Sequence, residues 1–285
     1  MSSVRNSPKD ATAWGDNALL DIVDGVAWVT INRPEKRNAV SPGLVHEMNA
    51  ILDEVEANDA AKVMIITGAG DAFCAGQDLK EYFRIPDTWP AIERERLYRA
   101  NAQWQWRRMM FYPKPTIAMI NGWCFGGAFQ FMIACDIAVS AEDATFGLSE
   151  INWGIIPAGI VTKSVSMVMN QRDSLYYIMT GDTFDGTKAA DMGLVNFAVP
   201  KDELRERTLA IAAKLKEKNP TVLRSAKTAY HHVRSMNWDT ANEYLMAKHA
   251  QTSASDPERG SEKGMSQFLD EKSYRPGLGA YRRED

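Results

Sequence analysis

One glutamate and one glycine-rich turn carry the clearest chemistry in this chain. Glu150 lies in Thr145-Phe-Gly-Leu-Ser-Glu-Ile-Asn-Trp-Gly-Ile-Ile-Pro157, downstream of Asn121-Gly-Trp-Cys-Phe-Gly-Gly-Ala128. A carboxylate that faces backbone N–H groups holding a carbonyl oxygen can add water to a carbonyl compound or take a proton from it. Gly126-Gly127 precede the expected start of a helix near Ala128. Glycine lets the backbone approach a ligand closely, and the first N–H groups of a helix have no internal partners. The helix dipole favours an oxygen that gains negative charge there. A second donor is the N–H of Gln77 in Ala75-Gly-Gln-Asp-Leu-Lys80, free to face a ligand if this loop turns into a helix. Two such N–H groups on one thioester oxygen would stabilise an enolate.

The elements that must position these groups follow from periodicity. Residues 19–23 and 26–31 predict two strands joined at Asp24-Gly25, a hairpin signal. Ser41-Pro42 predicts an N-cap with proline in the first helical position. Leu44, Val45, Met48, Ile51, Leu52 and Val55 then recur at helical spacing and predict a buried face. Residues 63–67 and 116–120 predict strands, the first ending in a turn at 68–71 and the second running into a turn at 122–127. Residues 137–140 predict a returning strand. Strands alternating with helices up to residue 200 indicate an α/β core. Beyond Val199-Pro200 the pattern is helical, over 202–216, 221–234, 238–251 and 259–269. The expected organisation is a polar leader at 1–16, a core at 17–205 and a helical region at 206–285 that builds subunit contacts.

Composition narrows the function. The chain has 285 residues, 45% hydrophobic and 25% charged, with a net charge of -4. These values are ordinary for a globular protein and offer nucleic acid no basic face. Arg33, Lys36 and Arg37 are enough cations for one phosphorylated ligand. The 3 cysteines, Cys74, Cys124 and Cys135, include no Cys-x-x-Cys pair, which argues against a disulfide framework or a zinc site. The first ten residues lack the apolar core of a signal peptide, and the apolar run 129–139 is interrupted by Gln130 and Asp136. A cytoplasmic enzyme with no nucleic-acid and no membrane partner is expected.

Four motifs in order and register resemble the crotonase (enoyl-CoA hydratase/isomerase) superfamily over residues 18–270. They are Asn32-Arg-Pro-Glu-Lys-Arg-Asn-Ala39, Phe73-Cys-Ala-Gly-Gln-Asp-Leu79, Asn121-Gly-x-x-x-Gly-Gly127 and Ser149-Glu150. The resemblance implies a ββα spiral core with C-terminal helices that pack in a homotrimer or a hexamer. It also implies an acyl-CoA thioester whose carbonyl oxygen sits between the N–H groups of Gln77 and Gly127. Lys36 would lie near the CoA phosphates, with Ala75 and Leu79 at the adenine and pantetheine portions. Coenzyme A would be part of the substrate, and neither a separate cofactor nor a metal is expected.

The chain departs from the hydratase pattern at Gln130, where similar hydratases carry a second glutamate. A carboxamide cannot donate and recover a proton as a carboxyl group does. One subgroup, the hydroxycinnamoyl-CoA hydratase-lyases, works with a single glutamate. Tyr82-Phe83, Trp104-Gln-Trp106, Asn121-Gly-Trp-Cys-Phe125 and Ser149-Glu-Ile-Asn-Trp-Gly154 resemble that subgroup. Two departures from it are Gln77, where a methionine is usual, and Gln130, where a serine is usual. By this resemblance Tyr82 and Tyr244 would bind a 4-hydroxyl on the substrate ring, Trp153 would flank the ring, and Gln130 and Ser149 would stand near the pocket. Trp104 and Trp106 are better read as core, Asp136 as a structural acid, and the cysteines and histidines as non-catalytic. Two other readings stay open: a hydratase or isomerase of another acyl-CoA, and a non-catalytic acyl-CoA-binding protein.

Overall fold

The structure, a computed structural model, describes residues 15–275, 277 and 279–283. The expected leader at 1–16 lies outside the described residues except for 15 and 16. Strands β1 (Ala18–Val23) and β2 (Val26–Ile31) pair antiparallel. Asp24 and Gly25 close the hairpin with φ of 51° and 79°, the two positive values that a type I′ turn needs. Alongside β2 run β3 (Val63–Gly68), β5 (Thr116–Ile120), β7 (Ile137–Ala141) and β10 (Phe197–Val199), all parallel, in the order β1-β2-β3-β5-β7-β10.

A second sheet of three-residue strands lies beside the first, in the order β4 (Ala72–Cys74), β6 (Trp123–Phe125), β8 (Thr145–Gly147), β9 (Thr183–Asp185). Three times the chain passes from the large sheet to the small one and then into a helix. After β4 comes α2 (Ala91–Ala102), after β6 α3 (Ala128–Ala134), and after β8 α4 (Val161–Val168). This is the ββα spiral that the motifs imply. The passages are tight: a Cβ on Gly68 would collide with Ala72 O, and one on Gly122 with Asp71 O. Asn121 binds neighbouring turns together, its Nδ2 donating to Gly68 O and Gly70 O at 2.9 Å each while its Oδ1 accepts from Thr67 Oγ1 at 3.2 Å.

Helix α1 (Pro42–Ala57) starts as its sequence demands, with Ser41 Oγ accepting the Leu44 N–H at 3.2 Å. Its six apolar positions at helical spacing are all buried. The segment 122–127 differs from its expectation as a single turn. Its middle forms β6, because those three residues find parallel partners in β4 and β8. The sequence also did not predict α2, whose surface is largely charged, nor the π-helical turns Leu79–Arg84 and Gln103–Arg107 on either side of it.

Helices α5 (Gln171–Thr180) and α6 (Gly186–Asp191) flank β9, and α7 (Leu204–Lys216) packs against β3, β5 and β7. Helix α8 (Pro220–Val233) is led by Asn219, whose Oδ1 accepts from the Val222 N–H at 3.1 Å. It is tied to the core where Lys227 meets Asp136 at 2.9 Å, and Asp136 also accepts from Thr116 N and Oγ1. Asp136 is thus the satisfied structural acid that was expected. Helices α9 (Trp238–Ser255) and α10 (Gly260–Leu269) complete the chain. Helix α9 buries none of its residues. Among the described residues, no helix is long and apolar enough to cross a membrane.

Candidate active site

The segment after β4 presents the first free donor. Val40 and Gln77 form an isolated parallel bridge in which Val40 N–H donates to Gly76 O at 2.8 Å and Asp78 N–H donates to Val40 O at 2.9 Å. Both bonds use the neighbours of Gln77, so its own N–H faces away from the bridge. Among the described residues that N–H has no hydrogen-bond partner. Gly127 is the N-cap of α3, and its N–H likewise has none among them. The two stretches of backbone touch at Gly76, whose φ is 87°. A Cβ there would lie 2.9 Å from Phe125 O and 3.2 Å from Gly127 N. Only glycine combines that conformation with that closeness.

Glu150 enters from the end of β8, in the 3-10 turn Ser149–Trp153 that Gly154 ends with φ of 76°. The Gly126 N–H donates to Gly147 O at 3.1 Å and so ties β8 to the glycine turn. This places Glu150 against that turn: its Oε1 lies 3.1 Å from where a Cβ on Gly126 would be. Its Oε2 is buried with no hydrogen-bond partner among the described residues. Burial pushes this carboxyl above the usual carboxylate range, and its own backbone N–H pulls it back in part. A carboxylate so placed holds a proton more readily than one in water, as an acid/base requires.

The other expected site residues stand in different surroundings. Tyr82 is buried in the π-helical turn, its ring 5.7 Å from Tyr98 and 5.1 Å from Phe83. Burial first, and Tyr98 second, push its phenol well above the ordinary range, so it stays a neutral donor. Gln130 is buried on α3, with its carboxamide against Gly159, where a Cβ would lie 3.1 Å from Nε2. Ser149 is half-buried beside Glu150. Trp153 points outward at 68% exposure. Tyr244 is half-buried on α9, its ring 5.7 Å from His232 on α8.

The candidate CoA side is organised by backbone pairing. Ala75 N–H donates to Arg37 O at 2.9 Å, which sets exposed Lys36 and Arg37 beside half-buried Ala75, while Leu79 is exposed at the start of the π-helical turn. Arg37 lies over the Trp123 ring at 4.5 Å. Arg33, counted in the sequence among cations for a phosphate, is buried and committed to Ala39 O at 2.6 Å and Glu81 at 2.9 Å. Among the described residues no cluster of His, Cys, Asp and Glu could hold a metal ion. The three thiols are buried, and burial raises Cys74 and Cys135 to about 12.

Sequence reasoning missed Gln105 and Asn101. Gln105 is wholly buried and accepts from Gln77 Nε2 at 3.2 Å and from Asn101 Nδ2 at 2.8 Å. Their only signal was an amide between two tryptophans expected to be core, one of which, Trp104, is fully buried.

The chain belongs to the enoyl-CoA hydratase/isomerase family, whose model matches residues 21–275. It is 54% identical over 264 residues to a hydroxycinnamoyl-CoA hydratase-lyase of Pseudomonas fluorescens, covering 93% of this chain and 96% of that one. It is 36% identical to a probable enoyl-CoA hydratase of Bacillus subtilis, over 73% of this chain and 80% of that protein. Among solved structures, an enoyl-CoA hydratase from Bacillus anthracis superposes with a TM-score of 0.81 at 27% identity, covering 94% of this chain and all of that one.

Proposed function

We propose that the protein is a lyase that hydrates 4-hydroxycinnamoyl-CoA thioesters (feruloyl-CoA, p-coumaroyl-CoA and caffeoyl-CoA) and cleaves the product to an aromatic aldehyde and acetyl-CoA. One observation carries the reading: Glu150 stands at the glycine turn with an unpartnered oxygen, while position 130 holds an amide in place of a second carboxylate. The likeness to the Pseudomonas fluorescens protein supports the substrate class.

A single glutamate suffices if the substrate supplies the electronic push. The ring 4-hydroxyl, held by Tyr82 and by Tyr244, feeds electrons through the conjugated chain and makes the β-carbon electrophilic. Glu150 takes a proton from water as the oxygen bonds to that carbon. The displaced electron pair moves to the thioester oxygen between the N–H groups of Gln77 and Gly127, and the proton passes to the α-carbon. Glu150 next removes the proton of the new β-hydroxyl, and the Cα–Cβ bond breaks in a retro-aldol step. The aldehyde, vanillin from feruloyl-CoA, departs. The acetyl-CoA enolate takes the proton from Glu150 at its methyl carbon. General base action is worth about 10²–10⁴-fold and one oxyanion donor about 10²–10³-fold.

In this reading Lys36 meets the CoA phosphates, Ala75 and Leu79 the adenine and pantetheine, and Trp153, Gln130 and Ser149 the ring end of the pocket. Coenzyme A enters as part of the substrate, with no separate cofactor. In the same reading the subunits pack as a homotrimer or hexamer through exposed α9, which brings Tyr244 to the ring end of the pocket. The enzyme works in the cytoplasm, in keeping with three buried thiols that form no disulfide.

The test is incubation with feruloyl-CoA, following products by chromatography and mass. Vanillin with acetyl-CoA in equal amounts is expected. Accumulation of the β-hydroxy thioester alone would mean a hydratase, and equal turnover of cinnamoyl-CoA without the 4-hydroxyl would remove the role of the phenol. Tight binding of acyl-CoA thioesters with no turnover would mean a binding protein.

A further inference from the structure

We propose that Gln105 is a positioning residue that clamps the side chain of Gln77 and keeps the oxyanion donors open. This rests on the proposed use of the Gln77 and Gly127 N–H groups. Gln77 carries two functions on one residue. Its backbone N–H has no partner among the described residues, while its side chain folds back across Gly127, so closely that a Cβ on Gly127 would collide with Gln77 Oε1. A flexible carboxamide in that position is a hazard. Its carbonyl oxygen is the same kind of acceptor as a thioester oxygen, and it lies beside the Gly127 backbone N–H, which has no partner among the described residues.

The clamp is Gln105, whose Oε1 accepts from Gln77 Nε2 at 3.2 Å. Gln105 is itself held by Asn101 Nδ2 at 2.8 Å, one helical turn earlier. The π-helical turn Gln103–Arg107 makes this possible. Its wider turn lets two adjacent residues, Trp104 and Gln105, both face inward and both be fully buried. Trp104 packs on Phe131 of α3, with ring centroids 4.9 Å apart, so Gln105 is registered to the helix that Gly127 caps. The arrangement is incompletely satisfied, since Gln105 Nε2 and Asn101 Oδ1 are buried without partners among the described residues. A polar pair kept on such terms in an apolar layer is costly for stability alone and points to a role at the site.

The experiment compares Gln105→Met in two backgrounds, the parent and Gln77→Met, with two readouts. One is kcat/KM with feruloyl-CoA. The other is the ultraviolet absorbance of the enolate that acetoacetyl-CoA forms when two N–H donors hold its thioester oxygen. Gln105→Met should lower both by about tenfold in the parent, on the scale that misplacement at a site costs. In the Gln77→Met background, where no carboxamide is left to swing, the same change should cost less than about twofold, as coupled residues behave in a double-mutant cycle. Equal losses in the two backgrounds, no loss in the parent, or no enolate signal from the parent protein would each overturn the assignment. If Gln105→Met alone does not fold, Asn101→Leu with Gln105→Met replaces both partners by apolar groups, the gentlest way to remove a buried hydrogen bond, and is scored identically. Loss of feruloyl-CoA cleavage with the acetoacetyl-CoA coupling intact would remove the proposed reaction and leave the clamp standing.

Discussion

Glu150 Oε1 stands 3.1 Å from the point that a Cβ on Gly126 would occupy, so this carboxyl is seated directly on the turn that opens α3. A single methyl group at residue 126 therefore tests two properties together. Gly126 has φ of 51°, a conformation that costs an L-residue about 1–2 kcal/mol. Gly126→Ala should lower stability by that amount in denaturant titration. It should also push Glu150 out of place and lower kcat by about 10²-fold in steady-state assays.

Glu150→Gln should lower kcat by about 10²–10⁴-fold with little change in KM. In the parent enzyme, kcat/KM should fall on the acid side at a pH above the usual carboxylate range, because burial raises this group. The variant should lose that limb of the profile.

The same burial makes Glu150 a stability switch of opposite sense. A carboxyl raised in the folded state favours the protonated form there, so its contribution is fully present below the unfolded value and is lost as pH rises through the raised one. Glu150→Gln should then melt above the parent at neutral pH. The gap between the two melting temperatures should close as pH falls below the ordinary carboxylate range.

Asp136 accepts from Thr116 N at 2.8 Å, from Thr116 Oγ1 at 3.0 Å and from Lys227 at 2.9 Å, fastening α8 to the core sheet. Asp136→Ala should cost about 3 kcal/mol, since it leaves a mostly buried ammonium unpaired. Chemical denaturation would show it, and Lys227→Met should recover part of the loss.

Helix α9 offers solvent Trp238 at 92% exposure and Met246 at 64%, and has no fully buried residue. The protein should sediment as a trimer or hexamer. Trp238→Asp combined with Met246→Asp should shift it toward smaller species and lower activity with it.

Much of the frame was legible in order. The capping Ser41, the helical spacing from Leu44 to Val55 and the Asp24-Gly25 hairpin are local signals, because backbone geometry there depends on residues a few positions apart. The second sheet was not legible. Strands of three residues such as Ala72–Cys74 and Thr145–Gly147 carry no period to read, and they exist only because the spiral lays them side by side. Helix α2 escaped because its surface is charged and its few buried residues make no stripe.

The amino-acid sequence by itself determined the family, the single carboxylate at position 150, the amide at 130 and the two candidate N–H donors, since residue identity and motif spacing are properties of the chain. Only the tertiary structure decided what these groups touch. It placed Glu150 on Gly126, spent Arg33 on Glu81 and Ala39, set Tyr244 beside His232, and set Gln105 behind Gln77. Such contacts depend on how sheets and helices far apart in sequence pack, and no local pattern records them.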